Sequence, residues 1–286
     1  MPNATEIRGK ALEKILLVGD AGGGKSTQIL TLPGKKFAYA FDPNAPAAYA
    51  GYDIDFEQFS PEVTDLDISV KTLKTGIGDK PIDSTGKARR VEPKTYINFE
   101  KDFYERYQDK FFDKYDIVVL DSLTTFSEII MDRTLYLNNR LGKQPEQADW
   151  SAQMTTINNV LRMLVNCNVN VLCTGHLEMR EDQVTHRIYR QMLVTGKLRI
   201  RLPLMFSNIF GCICSSDKDE IKYVVQTRPD KDFPMVRVNI QGLQFYEDVT
   251  IKDFKNPANF GLGALLKKAG KLPVKSSIVP LTTGRL

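Results

Sequence analysis

Short apolar runs that end in glycine or a polar residue recur along the first two thirds of the chain. The clearest run spans 115–121, where four aliphatic residues precede Asp121. Its length and uniform hydrophobicity are typical of a parallel strand that is covered on both faces. Similar runs predict strands at 14–19, 37–41 and 169–174, and weaker ones at 54–59 and 68–73.

Apolar residues between these runs recur at helical spacing. Tyr96, Phe99 and Phe103 share one face of a predicted helix at 96–112. Further helices are predicted at 25–32, 122–141 and 147–166. Beyond Lys197 short strands dominate, and they are predicted at 198–202, 209–214, 221–226 and 236–240. This alternation predicts an α/β fold with a mostly parallel sheet, helices on both faces and an antiparallel extension from the C-terminal strands.

Three segments depart from this alternation. Residues 74–94 interleave glycine and proline with charges, which predicts a mobile surface loop. A second loop, rich in basic residues, is predicted at about 178–198. The domain is expected to span 1–260. Residues 261–286 carry five basic residues and no acid, and we expect them to form a basic C-terminal tail.

Composition excludes only a few classes of protein. The chain is 42% hydrophobic and 26% charged, which is ordinary for a globular protein, and its net charge of +4 does not by itself indicate nucleic acid. No run approaches the roughly eighteen apolar residues of a membrane span, and the N-terminus has no signal-peptide pattern. The four cysteines lack the paired spacing of a zinc site. We therefore expect free thiols, no membrane association and a cytoplasmic protein.

The strongest chemical motif follows the first predicted strand. Residues 19–26 match the pattern G-x-x-x-x-G-K-[ST] between a predicted strand and a predicted helix. Glycines let backbone N–H groups converge on phosphates, and the helix N-terminus adds its positive dipole end. Lys25 is expected to reach the β- and γ-phosphates, and Ser26 to bind Mg²⁺. The predicted ATP-binding residues are Gly19, Asp20, Ala21, Gly22, Gly23, Gly24, Lys25, Ser26 and Thr27, hereafter the phosphate loop.

A phosphate loop needs a second acidic group for its metal ion. Asp121 ends a buried strand, at the sheet edge where ligands collect in open α/β sheets, so we predict that it binds Mg²⁺ together with Ser26. A helix cap is the alternative. Asp42 also ends a predicted strand and is a candidate to orient the attacking water, with an Asx turn as the alternative. His176 closes a central strand and is predicted to contact the γ-phosphate, although a lone histidine is often structural.

The order and spacing of 19–27, 115–122 and 171–176 resemble those of RecA-like core ATPases. With 41–44 and 195–197, the chain looks similar to compact phage-encoded members of the single-strand annealing and recombination group. The resemblance covers about 14–240. It implies an ATPase that binds single-stranded DNA as a ring or filament, holds ATP between subunits and works with a single-strand binding protein in a phage-infected host.

The chain departs from that family at one catalytic position. Where RecA-like recombinases carry a glutamate two residues after the aspartate that ends the second strand, this chain has Asn44. An amide is no general base, so hydrolysis is expected to be slow or to use another carboxylate, such as Asp42 or Glu178. His176 stands where those proteins carry a glutamine sensor, which implies pH-dependent sensing.

A basic segment follows the His176 strand. Residues 183–201 contain no acid, and arginines for phosphates with an aromatic ring for stacking would suit single-stranded DNA. A solvated hairpin is the alternative. The loop 74–94 is a weaker DNA candidate, and Arg228 could act in trans on a neighbour's γ-phosphate. The predicted nucleic-acid contacts are Arg187, Tyr189, Arg190, Lys197, Arg199 and Arg201.

The leading hypothesis is therefore a Mg²⁺-dependent ATPase that promotes annealing or strand pairing in phage homologous recombination. A DNA motor, either a helicase or a packaging ATPase, is the alternative on the same core. A nucleotide-gated assembly protein that never touches DNA is a third possibility. A small-molecule kinase ranks last, because no arginine lid or acceptor pocket is recognisable.

Overall fold

The computed structural model describes residues 12–62, 92–217 and 220–272. Within them, ten strands form one sheet in the order β10-β8-β7-β1-β5-β4-β2-β3, with β6 paired to β5 and β9 to β7. The strands are β1 Lys14–Gly19, β2 Lys36–Ala40, β3 Ile54–Gln58, β4 Ile117–Asp121, β5 Asn170–Glu181, β6 Ile188–Met192, β7 Asn208–Asp217, β8 Glu220–Gln226, β9 Arg237–Val238 and β10 Tyr246–Asp248.

Seven α-helices cover the two faces of this sheet in the described residues. They are α1 Lys25–Ile29, α2 Ala45–Tyr49, α3 Thr95–Gln108, α4 Leu123–Leu137, α5 Gln147–Asn166, α6 Leu198–Arg201 and α7 Gly261–Lys268. Short 3₁₀ turns lie at Phe111–Lys114, Leu202–Met205 and Pro257–Asn259. None of the described helices is long and apolar enough to cross a membrane.

The central strands run parallel, and this brings the predicted site residues to one edge. β1 lies between β7 and β5, β4 follows β5, and β2 and β3 complete the parallel part. In this register Gly19 pairs with His176, and Ala40 pairs with Asp121. The later strands β6, β8, β9 and β10 are antiparallel. The predicted fold class is therefore confirmed.

Each face of the sheet carries its own apolar core. One face packs against α3, α4 and α5 and is rich in aromatic rings, with Phe99 fully buried among Tyr39, Phe41 and Phe126. The opposite face packs against α1, α2 and α7. The strands β2 and β4 contribute to both cores, which explains why residues 37–41 and 117–120 are apolar at every position.

The predicted strand at 198–202 is wrong, because α6 and the following 3₁₀ turn occupy these residues. The sequence Leu-Arg-Ile-Arg-Leu alternates as a strand does, but only its first and last leucines are buried. Ile200, between them, is 73% exposed. Burial at i and i+4 is helical spacing, so packing overrides the two-residue alternation.

The boundary predicted at 260/261 also needs correction. Residues 261–268 form α7, whose Leu262 and Leu266 are fully buried against the α1 side of the sheet. Gly263 donates its N–H to Thr31 Oγ1 at 2.9 Å, so α7 belongs to the ATPase domain. The rest of the predicted tail, 273–286, and most of the predicted loop 74–94 lie outside the described residues, as does the predicted strand 68–73.

Candidate functional site

The phosphate loop turns sharply between β1 and α1. Gly22 and Gly24 adopt φ of 78° and 80°, a left-handed conformation that favours glycine. A Cβ on Gly24 would also lie 2.8 Å from the Tyr223 ring of β8. Beyond Ile29, N–H groups bond three residues back, so the predicted helix continues only as a tighter turn to Leu32. The first N–H groups of α1 have no intrahelical partner and face the loop.

Lys25 lies inside this loop and is only 6% exposed. Its Nζ donates to the carbonyl oxygens of Gly19 and Asp20, both at 2.9 Å, and lies 3.3 Å from His176 Nδ1. Burial lowers the pKa of the Lys25 ammonium, and the nearby Asp121 and Asp42 act against that shift. The ammonium is therefore held at the mouth of the loop by weak backbone acceptors that phosphate oxygens can replace.

Asp121 is buried at the end of β4, with 1% exposure. Its Oδ2 accepts a hydrogen bond from the Tyr49 hydroxyl at 2.6 Å, and its Oδ1 accepts one from Thr174 Oγ1. Burial raises the pKa of the Tyr49 phenol, and the adjacent carboxylate raises it further. The predicted alternative for Asp121 was a cap for the following helix. Ser122 has that role instead, because its hydroxyl accepts a hydrogen bond from Thr125 N.

Asp42 and His176 meet above the sheet edge. Asp42 Oδ2 lies 3.3 Å from His176 Nε2, and Asp42 Oδ1 accepts hydrogen bonds from Ser122 Oγ at 2.7 Å and from Thr125 Oγ1. Burial opposes the Asp42 charge, but the hydrogen bonds from His176, Thr125 and Ser122 outweigh it and lower the pKa of this carboxyl. The structure thus joins Lys25, His176 and Asp42 in one continuous chain of contacts.

The remaining candidate carboxylate lies further along β5. Glu178 Oε1 accepts from Gln191 Nε2 at 2.9 Å and pairs with Arg180 at 3.3 Å, so this carboxylate is already paired with a cation. Asn44 is exposed and directly precedes α2. Neither residue contacts the chain formed by Lys25, His176 and Asp42.

The donor set fits a magnesium ion. Mg²⁺ prefers oxygen ligands and keeps several waters, and P-loop proteins usually hold it by one hydroxyl, one carboxylate and the phosphates. Ser26 supplies a half-buried hydroxyl at the start of α1. Each oxygen of Asp121 accepts one hydrogen bond and keeps a lone pair for a metal-bound water. Ser26 and Asp121 would therefore hold the ion, which would neutralise charge on the phosphates.

The basic segment forms a hairpin of β5 and β6 followed by α6. Arg187 lies at the turn and is exposed, and Tyr189 and Arg190 follow on β6, half-buried. Lys197 and Arg201 are exposed at α6. The backbone of this segment therefore forms the hairpin that the predicted alternative described. Residues of the hairpin also line a cavity.

That cavity, hereafter the α5 cavity, has a volume of about 780 Å³ and lies between α4, α5 and the hairpin. Its cationic wall consists of Arg180, Lys197, Arg199 and Arg201, and Trp150 of α5 lies in the same lining. Thr124 lines it too, and the Thr124 hydroxyl accepts the backbone N–H of His176 at 2.9 Å. Thr124 thus connects the α5 cavity with His176, which contacts Lys25 of the phosphate loop.

Arg228 lies apart from these groups. It follows β8, and its guanidinium donates to the carbonyl of Leu243 at 3.1 Å. Within this chain it contacts none of the phosphate-loop residues described above, so a role in trans stays a prediction.

A strand order with β5 between the phosphate-loop strand β1 and the aspartate strand β4, with the phosphate loop at the end of β1, defines a P-loop NTPase. The chain belongs to the AAA domain family, whose model matches residues 12–234. It is a P-loop ATPase, and its family implies nucleotide binding.

Among solved structures, two archaeal proteins show weak likeness. The flagellar accessory protein FlaH from Methanocaldococcus jannaschii has 8% identity and a TM-score of 0.38, with 84% of this chain and 85% of that chain covered. A KaiC-like protein from Pyrococcus horikoshii has 13% identity and a TM-score of 0.43, with 86% and 87% covered. No curated protein sequence matches the chain.

The residues that hold the candidate groups in place were not predicted from the sequence. Thr174 could have been recognised, because it lies two residues before His176 on one strand and therefore points to the same face. Ser122 and Thr125 follow Asp121 at the start of a predicted helix, where hydroxyls commonly bond neighbouring groups. Tyr49 carried no signal, since the five-residue helix α2 was not predicted.

Proposed function

We propose that the phosphate loop binds Mg²⁺-ATP and that the surrounding polar residues carry its hydrolysis. In this proposal Lys25 leaves the carbonyls of Gly19 and Asp20 for the β- and γ-phosphates, and Ser26 and Asp121 hold the magnesium ion. His176 faces the γ-phosphate from the end of β5. The contacts of Lys25 with the loop and with His176 support this assignment, because they place one cation between the phosphate loop and His176.

Hydrolysis in this site is expected to be slow. Asn44 cannot accept a proton, and the lowered pKa of Asp42 makes that carboxylate a weak base. Positioning and charge stabilisation by the loop are therefore the main contributions to phosphoryl transfer, as in other P-loop enzymes. Lys25→Ala is expected to remove ATP turnover and to weaken nucleotide binding by at least about tenfold, since it deletes the loop's only buried cation in the described residues.

We further propose that the protein binds single-stranded DNA along the hairpin and α6. The observation that carries this proposal is the cationic wall of the α5 cavity, together with the exposed Arg187 and the half-buried Tyr189 on the same hairpin. Arginine and lysine would neutralise phosphates, and Trp150 or Tyr189 would stack on bases. The Thr124–His176 contact supports a coupling between nucleotide state and DNA affinity.

The remaining parts of the proposal rest on the family resemblance. Subunits would assemble into a ring or filament with ATP between them, where Arg228 could reach a neighbour's phosphate. Such an oligomer would promote annealing or strand pairing during phage recombination, with a single-strand binding protein as partner.

Fluorescence anisotropy of a labelled single-stranded oligonucleotide would test DNA binding with ATP, with ADP and without nucleotide. We expect ATP to strengthen binding in the wild type and to have no effect in Lys25→Ala. A triple reversal of exposed cations, Arg187→Glu, Lys197→Glu and Arg201→Glu, should weaken binding by at least about tenfold at low salt and flatten the salt dependence, because each lost phosphate contact lowers the slope.

The matched control reverses three exposed lysines elsewhere, Lys101→Glu, Lys252→Glu and Lys255→Glu, for the same change in net charge. This control should bind DNA nearly as the wild type does. Equal losses in the two triple variants would reduce the effect to overall charge and contradict the assigned surface. An absence of DNA binding in every nucleotide state, with ATP still bound, would favour the nucleotide-gated assembly protein. Brisk DNA-stimulated turnover would favour the motor.

A further inference from the structure

The hydrogen bonds of Lys25 define which nitrogen of His176 carries a proton. An ammonium group has three hydrogens and no lone pair. Lys25 has three acceptors around it, the carbonyl oxygens of Gly19 and Asp20 and the Nδ1 atom of His176. Nδ1 therefore presents its lone pair to Lys25, and in this state it has no hydrogen.

The other ring nitrogen faces a group that can only accept. Asp42 Oδ2 lies 3.3 Å from His176 Nε2, so Nε2 must carry the hydrogen. The His176 backbone N–H donates to the Thr124 hydroxyl oxygen, and this hydrogen bond holds His176 in place on β5. Both contacts of the ring are 3.3 Å long, slightly longer than a typical hydrogen bond.

Asp42 is itself firmly held. Its Oδ1 accepts two hydroxyl hydrogen bonds, from Ser122 and from Thr125 at the start of α4. A carboxylate engaged on both oxygens is poorly placed to take a proton from water. Its geometry instead matches the carboxylates that orient a histidine through the nitrogen remote from the reaction.

We propose that Asp42 is the positioning residue of an Asp42–His176 pair, and that His176 takes up a proton at Nδ1 when a γ-phosphate replaces Lys25 there. The inference rests on the proposed nucleotide site. Once Lys25 turns to the phosphates, Nδ1 loses its donor and faces phosphate oxygens, which also only accept. A proton from solvent on Nδ1 restores a hydrogen bond, now donated to the γ-phosphate, and the Asp42 charge compensates the imidazolium.

The charges around the ring favour this proton. Lys25 faces Nδ1 from the phosphate loop and Asp42 faces Nε2 from the end of β2. Glu128 of α4 interacts with both Asp42 and His176 at longer range, and Glu178 lies two residues along the same strand. With Lys25 turned to the phosphates, Asp42 is the charged side chain that still contacts the imidazole among the described residues. ADP lacks the γ-phosphate and therefore offers no acceptor to Nδ1.

Isothermal titration calorimetry can count this proton. Wild-type protein is titrated with Mg²⁺ and either ADP or a non-hydrolysable β,γ-imido ATP analogue, at mildly alkaline pH, in buffers with different ionisation enthalpies. The dependence of the measured heat on the buffer gives the number of protons bound. We expect the analogue to take up about one proton more than ADP does, because only the analogue places phosphate oxygens at Nδ1.

Two substitutions separate positioning from folding. Asp42→Asn keeps an acceptor for Nε2–H but removes the charge, so we expect the extra proton to be lost and analogue affinity to fall roughly tenfold with ADP affinity unchanged. His176→Gln should bind the analogue without proton uptake. Asp55→Asn, whose carboxylate contacts Tyr115 near the opposite end of the sheet, is the matched control and should retain the uptake.

Each outcome decides the inference. Equal proton uptake with both nucleotides in the wild type would overturn it, and this measurement needs no variant to fold. Full uptake in Asp42→Asn would overturn the role of Asp42. If neither nucleotide binds the wild type, the proposed phosphate site fails as well, and this distinguishes the two failures.

Discussion

The contact between α7 and the phosphate-loop helix gives the sharpest test of the fold. A Cβ on Gly263 would overlap the carbonyl group of Thr31, which is backbone and cannot rotate away. Gly263→Ala therefore forces α7 away from α1. The change is small in volume, but it falls where two backbones touch and glycine alone fits.

Two hydrogen bonds and part of an apolar core are affected. Displacing α7 breaks the bonds from Gly263 N to Thr31 Oγ1, at 2.9 Å, and from Leu262 N to Gln28 Oε1, at 2.8 Å. These contribute about 1 kcal/mol each. Strained packing around the fully buried Leu262 and Leu266 adds about 1–3 kcal/mol, so we expect a loss of about 3–5 kcal/mol in unfolding free energy.

Urea unfolding followed by circular dichroism would measure this loss, and the midpoint should fall without a change in slope. Gly270→Ala is the control, since it adds the same methyl at a left-handed position, φ 67°, with nothing within 4 Å. It should cost only about 1–2 kcal/mol of backbone strain. If Gly263→Ala costs no more than Gly270→Ala, α7 does not pack on α1 as described.

Three further outcomes are expected. Gly24→Ala should weaken ATP binding by about tenfold in a nucleotide titration, because it strains a left-handed residue, φ 80°, and pushes on the Tyr223 ring 2.8 Å away; unchanged affinity would contradict the described loop. Phe99→Ala should destabilise by about 3–5 kcal/mol in urea, whereas Tyr104→Ala, 53% exposed on the same helix, should cost less than about 1 kcal/mol. Hydrogen bonds from an arginine lower the pKa of the Asp149 carboxyl. The wild type should therefore have a higher unfolding free energy than Asp149→Asn by an amount that is constant above about pH 5 and shrinks as pH falls below about 4. A difference in unfolding free energy that does not change with pH would refute this prediction.

The parallel core was predictable because its signal lies within each strand. Residues 117–120 are apolar at every position, and only a strand covered on both faces needs that pattern. The short pieces α2 and α6 were not predictable in this way. Alternation at 198–202 fits a strand as well as a four-residue helix, and only the burial of its two leucines decides between them.

The C-terminal helix shows a second limit. Gly261 and Gly263 argue against a helix by propensity, yet they are there because a larger residue would strike α1. In the candidate site, the phosphate loop has a dense local motif, and the ends of the predicted strands suggested Asp42, Asp121 and His176. Their mutual contacts depend on strand order, which no local pattern contains.

The hydrogen bonds that Gln28 of α1 makes with Val249 and Leu262 have a consequence for how the chain becomes functional during synthesis. Gln28 donates to the carbonyl of Val249 at 2.9 Å and accepts from Leu262, so the helix behind the phosphate loop is held by residues made more than two hundred positions later. A nascent chain whose phosphate loop has emerged lacks the support of that helix until residues 249–262 have also left the ribosome. Nucleotide binding is therefore acquired late, and incomplete chains are poor competitors for ATP.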